Sequence, residues 1–150
     1  MVFESETVLK APLNEVWRFF SDPRNLARIT PPSLRFRIVD APDRSLRRDD
    51  RVVYRIRILG IPMTWVTRIT DWDEERMFAD AQEKGPYRTW VHTHTFERLD
   101  DGVRMRDRVH YELPLGFAGR VAGGWFVRRQ VRTIFAFRER TIQGIFDTSE

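Results

Sequence analysis

The stretch TWVHTHTFERLDDGVRMRDRVHYELP, residues 89–114, predicts two β-strands joined by a short turn. Apolar and charged residues alternate along its second half, which is the period-two pattern of a strand with one buried face. The sequence Asp-Asp-Gly at residues 100–102 supplies residues that favour a turn between the two halves. An antiparallel hairpin within a larger sheet is therefore the first structural prediction.

Side chains on each strand of this hairpin divide into two faces. On the second strand, Asp107 shares its face with four apolar or aromatic residues, while Arg106 and Arg108 point the other way. The four are Met105, Val109, Tyr111 and Leu113. On the first strand, one face carries Trp90, His92, His94 and Phe96. Asp107 is therefore predicted to point inward.

The length of the connecting loop decides which residues of the hairpin meet. A two-residue turn at Asp101 and Gly102 would pair Phe96 with Asp107, and a four-residue loop would pair His94 with Asp107. An odd-length loop would instead set Phe96 against Arg106. We favour an even loop because it keeps the arginines outside. The preferred pair is then His94 with Asp107, since a buried carboxylate needs a partner.

Several kinds of site are compatible with His92, His94, Asp107 and Tyr111 on one concave face. The cluster can be a self-satisfied polar network, or it can orient a polar group of a ligand. A His–Asp pair can also act in general acid–base catalysis, with His94 and Asp107 as the candidate catalytic residues. A metal triad is disfavoured because His110 lies on the opposite face, so we predict no metal and no cofactor.

The rest of the chain surrounds this hairpin with a recognisable order of elements. Residues 3–9 alternate as a strand, Pro12 and Pro23 each begin a short helix, and Pro31 and Pro32 end the second one. From about residue 34 to residue 113, six strands follow one another through short turns. A helix of about 25 residues is predicted to close the chain after a glycine-containing entry segment, residues 116–124.

One long amphipathic helix is available to cover this sheet. We therefore predict an α+β fold for a single domain, residues 1–150, in which a curved seven-stranded antiparallel sheet wraps around the C-terminal helix. Curvature leaves space between helix and sheet, and that space can form a cavity.

This order resembles the helix-grip superfamily, which includes START lipid-transfer domains, the birch pollen allergen family, and polyketide cyclases and aromatases. The resemblance rests on four stretches: residues 11–32 (APLNEVWRFFSDPRNLARITPP), 85–96 (GPYRTWVHTHTF), 105–116 (MRDRVHYELPLG) and 127–140 (VRRQVRTIFAFRER). It covers nearly the whole chain and resembles a bacterial cyclase-like, ligand-binding branch. Related domains also occur with epimerase-like proteins. The superfamily contains carriers, receptors and enzymes, so the resemblance implies the fold more strongly than the activity.

Composition narrows the classes of partner. The net charge is +4, lysine occurs only at Lys10 and Lys84, and there is no cysteine. The acidic residues are interspersed with the arginines, and aromatic residues do not alternate with the arginine rows, so we expect no nucleic-acid partner. Contact with an anionic membrane surface is left open, and so is the choice between monomer and homodimer. We expect a cytoplasmic protein.

These observations lead to a predicted function. The domain is expected to bind a small hydrophobic molecule (lipid, polyketide-like or isoprenoid-like) between sheet and helix. The alternatives are a cyclase or dehydratase that uses His94 and Asp107, and an interaction module for an epimerase-like protein. The predicted ligand-binding residues are Tyr54, Trp65, Phe78, Asp80, Trp90, His92, His94, Phe96, Asp107, Tyr111 and Phe135.

Overall fold

The computed structural model describes residues 1–147, and the predicted order of elements is confirmed within them. The last three residues of the predicted domain lie outside this part. The strands are β1 (Val2–Leu9), β2 (Arg37–Asp40), β3 (Arg51–Ile58), β4 (Ile61–Asp73), β5 (Met77–Lys84), β6 (Thr89–Leu99) and β7 (Gly102–Glu112). The helices are α1 (Leu13–Phe20), two 3₁₀ helices (Pro23–Ile29 and Pro32–Leu34) and α2 (Gly116–Phe146).

The strands form one antiparallel sheet with the order β1-β7-β6-β5-β4-β3-β2. Each strand of the meander pairs with the next, and β1 returns to pair with β7. In the β6–β7 hairpin, Leu99 lies opposite Gly102 and His94 lies opposite Asp107. The loop has an even number of residues, as predicted, and that number is two. The pairing of His94 with Asp107, however, is the one predicted for a four-residue loop.

The two faces of β7 differ as predicted. Asp107 is only 3% exposed and its apolar neighbours on that face are buried. On the other face, Arg106 donates a hydrogen bond to Glu6 at 2.8 Å and Arg104 donates one to Glu97 at 3.0 Å. The arginine row is therefore an outer, solvated face on which cross-strand ion pairs form.

The segment between β1 and β2 covers one end of the sheet. In α1, Pro12 occupies the cap position just before the helix, and Asp22 accepts a hydrogen bond from the backbone N–H of Arg24 at the next turn. The ring of Trp17 packs edge-on against Trp72, Phe78 and Phe96. The predicted start of the six strands at about residue 34 is wrong. The first of them begins at Arg37, because residues 32–34 form a 3₁₀ turn that ends with Arg35 in the left-handed region, at φ 46°.

The C-terminal helix is longer than predicted. It spans 31 residues from Gly116, so the glycines that we placed in an entry segment lie within it. A glycine inside a helix costs roughly 1 kcal/mol relative to alanine, which is too little to stop a helix of this length. Its buried residues follow helical spacing; they are Gly124, Val131, Phe135, Ile142 and Phe146. All of them except Gly124 belong to the hydrophobic core clusters.

Candidate functional site

A cavity of about 140 Å³ lies between the concave face of the sheet, the first 3₁₀ helix and α2. Its wall is formed mainly by aromatic and aliphatic side chains, including Trp65, Phe78 and Ile134. An engineered cavity of similar volume in another protein holds a benzene molecule, so this space suits a small apolar group. The predicted cavity between helix and sheet is present.

Eight of the eleven predicted ligand-binding residues line this cavity. They are Tyr54, Trp65, Phe78, Asp80, Trp90, His92, His94 and Phe135. Phe96, Asp107 and Tyr111 do not line it, and ligand contact by any of the eleven residues stays a prediction. The Phe96 ring packs 5.2 Å from that of Trp17, and the Tyr111 ring lies 5.9 Å from that of Trp90. Period-two spacing predicts the face of a strand, and these three residues occupy that face beyond the cavity wall.

Two histidines and two aspartates form a polar cluster that connects β5, β6 and β7. Nε2 of His92 lies 2.7 Å from Oδ1 of Asp107, and Nε2 of His94 lies 3.2 Å from Oδ2 of Asp80. Nδ1 of His94 lies 3.2 Å from Oδ1 of Asp107 without forming a hydrogen bond. The preferred pair, His94 with Asp107, is present as this 3.2 Å contact, while the hydrogen bonds join His92 to Asp107 and His94 to Asp80.

Strand register explains why the hydrogen bonds form between these residues. His92 lies opposite Asp80 on β5, and His94 lies opposite Asp107 on β7. The hydrogen bonds run instead to the diagonal partners, which lie within reach of long side chains across a sheet. Stacking holds the rings in place: the His94 ring lies 4.2 Å from Phe78 and 3.7 Å from His92.

The cluster separates the pKa values of its four members. Burial alone would raise the pKa of Asp107, but its interactions with His92 and His94 outweigh burial and hold that pKa far below its ordinary value. Burial would also raise the pKa of Asp80, but its interactions, led by the hydrogen bond with His94, outweigh burial and lower that pKa. Both aspartates are therefore ionised at neutral pH.

The pKa values of the two histidines are shifted in opposite directions. Burial and the charge of His94 lower the pKa of His92, even though Asp107 favours its charged form. At His94, burial also favours the neutral form, but interactions with Asp107 and Asp80 outweigh it and raise the pKa. His94 is therefore the member that most readily carries the proton, and the cluster can hold or donate a proton at the cavity wall.

Three of these residues could also hold a metal ion. Ligand atoms of Asp80, His92 and His94 lie within 4.8 Å of one another. This set differs from the triad considered from the sequence, since Asp80 replaces Asp107. Both Nε2 atoms already hydrogen-bond to carboxylates, so a cation bound through these two atoms would displace those hydrogen bonds.

Other polar residues of the cavity wall were missed by the sequence reasoning. The hydroxyl of Thr67 donates a hydrogen bond to Asp80 at 3.1 Å, and Gln130 and Arg138 line the wall from α2. Arg138 lies three residues beyond Phe135 and four before Ile142, both of which are buried. That helical spacing was a signal that one arginine of α2 faces inward.

Comparison with known proteins supports the fold. A family model described as "Polyketide cyclase / dehydrase and lipid transport" matches residues 9–136. No curated protein matches the chain in sequence. Within residues 1–147, no helix is long and apolar enough to cross a membrane.

Three similar solved structures illustrate the range of this fold. TTHA0849 from Thermus thermophilus has a TM-score of 0.71 and 18% identity, over 97% of this chain and 99% of that chain. Major latex-like protein 151 from Panax ginseng has a TM-score of 0.70 and 14% identity, over 97% of each chain. A nucleoside-diphosphate sugar epimerase from Corynebacterium glutamicum has a TM-score of 0.69 and 22% identity, over 95% of this chain and 28% of that chain. At these identities the likeness shows the fold alone.

Proposed function

Because the chain belongs to the polyketide cyclase/dehydrase and lipid-transport family, we propose that it binds a small hydrophobic molecule in the cavity between sheet and α2. The observation that carries this proposal is the cavity wall itself, which is largely apolar and aromatic with a few convergent polar groups. Binding sites for small molecules commonly combine these features. Aromatic side chains would supply affinity, and the polar cluster would fix the orientation.

The size of the cavity limits the class of ligand. A volume of about 140 Å³ suits a compact ring system better than an extended acyl chain. Trp65 and Phe78 offer flat surfaces on which such a ring can stack. We therefore favour an aromatic, polyketide-like molecule over a lipid or an isoprenoid.

Binding of an uncharged aromatic probe tests this proposal. The probe is 2-naphthamide, titrated by isothermal calorimetry into the wild type and into two helix variants. Ile134→Trp fills the cavity from α2, whereas Thr133→Trp adds the same side chain at the exposed neighbouring position. The proposal predicts that only Ile134→Trp abolishes binding. Equal binding by both variants would place the probe elsewhere and contradict it.

A second candidate function is acid–base catalysis on a bound polyketide. His94, whose pKa is raised, and the ionised Asp80 both line the cavity. In the dehydration of a β-hydroxy ketone, Asp80 would take the α-proton, and protonation by His94 would release the hydroxyl group as water. The dehydration of a synthetic β-hydroxy ketone, followed by ultraviolet absorbance, tests this role. The role is supported if His94→Gln loses turnover but still binds the ketone, and it is excluded if the wild type shows no turnover.

An interaction module remains the third proposal. The fold forms about a quarter of the epimerase from Corynebacterium glutamicum, which supports association with an epimerase-like partner. A packed interior would have favoured this function, and the cavity favours a binder instead. Ile134→Trp separates the two, because filling the cavity should leave the binding of a protein partner unchanged.

A further inference from the structure

The α2 wall of the cavity contains an arginine with an unmet hydrogen bond. Nε of Arg138 is buried and has no hydrogen-bond partner within residues 1–147. Its guanidinium group lies 5.0 Å from the centre of the Phe135 ring. Surface arginines such as Arg44 and Arg106 form ion pairs with carboxylates, whereas no ion pair involves Arg138 in the part of the chain that is described.

The sheet side of the same cavity presents a second donor without an acceptor. Nε1 of Trp65 is buried and unpaired among the described residues, and the whole residue is only 6% exposed. The Tyr54 ring stacks on Trp65 at 5.7 Å and lies within the electrostatic range of Arg138. Arg138, Trp65 and Tyr54 therefore line one region of the cavity from two sides.

The carboxylates of the polar cluster do not satisfy these donors. Asp80 accepts hydrogen bonds from His94 and Thr67, and Asp107 accepts one from His92. A buried donor that has lost water and found no acceptor destabilises the unliganded state. An acceptor brought by a ligand would satisfy it, and charged acceptors form the strongest hydrogen bonds with a guanidinium.

We propose that the ligand is an aromatic molecule with an oxyanion, a carboxylate or an ionised phenol or enol, which accepts hydrogen bonds from Arg138 and Trp65. The rings of the ligand would lie against the aromatic wall while the oxyanion faces α2. This inference rests on the proposed function, because it specifies the chemistry of a ligand in the same cavity.

A pair of probes with the same rings tests the role of the charge. 2-Naphthoate is ionised at neutral pH, and 2-naphthamide is nearly isosteric and neutral. We expect the wild type to bind the naphthoate at least about ten-fold more tightly, as measured by calorimetry. Arg138→Met should remove that preference without weakening the binding of the amide, and Trp65→Phe should reduce it.

Arg140→Met provides the matched control, because Arg140 is exposed two residues further along α2. It removes the same charge from the protein outside the cavity and should leave the preference intact. Equal affinities of the wild type for both probes, or equal losses in Arg138→Met and Arg140→Met, would overturn the oxyanion proposal and leave cavity binding standing. Binding of neither probe by the folded wild type would overturn both proposals.

The beginning of α2 carries a second, independent inference. Phe117, Val121 and Trp125 recur every four residues and are 73%, 73% and 72% exposed, so they form one uncovered apolar face. Arginine side chains border this face: Arg120 lies 6.0 Å from the Phe117 ring, and Arg129 lies 5.7 Å from the Trp125 ring.

The charge that α2 itself places beside this face is of one sign. Residues 115–137 include four arginines and no aspartate or glutamate. A second copy of the chain docked here would bring arginines against arginines, without acidic residues on this face to pair with them. An anionic bilayer matches both features, because apolar side chains enter the interface while arginines contact lipid phosphates. We infer that this face docks on a membrane surface that contains anionic lipid.

Sedimentation with vesicles tests this inference. We expect the protein to sediment with phosphatidylcholine vesicles that contain about 30% phosphatidylglycerol and to remain free with phosphatidylcholine alone. Trp125→Ser should weaken the association several-fold, whereas Leu59→Ser, at a 78% exposed leucine of the β3–β4 turn, should not. No association with anionic vesicles would overturn the inference. So would a dimer, seen by light scattering, that Trp125→Ser abolishes.

Discussion

Replacement of Asp107 by asparagine is the sharpest test of the polar cluster. Asp107 accepts a 2.7 Å hydrogen bond from His92 and lies 3.2 Å from the ring of His94, whose pKa is raised, at 3% exposure. Removal of one partner from a buried ion pair costs about 3–5 kcal/mol. Asparagine keeps an acceptor oxygen for His92, and Asp80 still faces His94. We therefore expect a loss near the lower end, about 3 kcal/mol.

Urea unfolding followed by tryptophan fluorescence measures this loss at neutral pH. A protein of this size typically has a free energy of unfolding of about 5–15 kcal/mol, so the variant should stay folded in buffer. Asp101→Asn is the control, because Asp101 is exposed in the β6–β7 turn and should change stability by less than about 0.5 kcal/mol. The pKa of His94, followed by NMR, should fall in Asp107→Asn because one of its two carboxylates has lost its charge.

The result that would refute this account is a small loss. If Asp107→Asn costs less than about 1 kcal/mol, or no more than Asp101→Asn, then the charge of Asp107 is not balanced by the histidines. An unchanged pKa of His94 would exclude the interaction of His94 with Asp107.

Three further predictions concern stability. His94→Gln should destabilise the protein more at about pH 5.5 than at about pH 8.5, as measured by urea unfolding. Because folding raises the pKa of His94, its contribution to the free energy of unfolding is complete below the pKa of the unfolded state and is lost as the pH rises through the pKa of the folded state. An equal loss at both pH values would contradict the raised pKa. Gly123→Ala should stabilise the helix by up to about 1 kcal/mol, because an added Cβ meets no atom within 4 Å there; a loss of thermal stability would show that α2 is covered at that point. Gly119→Ala should instead destabilise, because its Cβ would collide with the carbonyl oxygen of Pro114; an unchanged melting temperature would contradict this packing.

The order of elements was predictable because local pattern carries it. Alternation along residues 103–113 placed Asp107 inside and the arginines outside, and the cost of burying arginine selected an even hairpin loop. The inward direction of Asp107 followed from the alternation. Its position opposite His94 followed from the even loop together with the need of a buried carboxylate for a partner, and the structure confirms both.

The partners inside the cluster were not predictable in this way. Period-two spacing fixes a face, but the choice between opposite and diagonal partners depends on sheet twist and side-chain packing. Here Phe78 stacks on His94, and Asp80 on the same strand accepts its hydrogen bond. The position of β5 beside β6 brings these groups together, and only the assembled sheet shows that.

The start of α2 was missed for a different reason. Glycine lowers helix propensity, so the glycines of residues 116–124 suggested a separate entry segment. Helix formation is cooperative, and a helix anchored by Val131 and Phe135 extends through several weak positions. The same local rule that located the turns of the sheet therefore failed within a long helix.

Binding of a small aromatic molecule inside the protein is the central claim, and a crystal structure with 2-naphthoate bound tests it most directly. We expect the naphthalene ring to lie between Trp65, Phe78 and Ile134, with the carboxylate facing Arg138. A cavity that stays empty while the probe lies on the outer surface would contradict the claim.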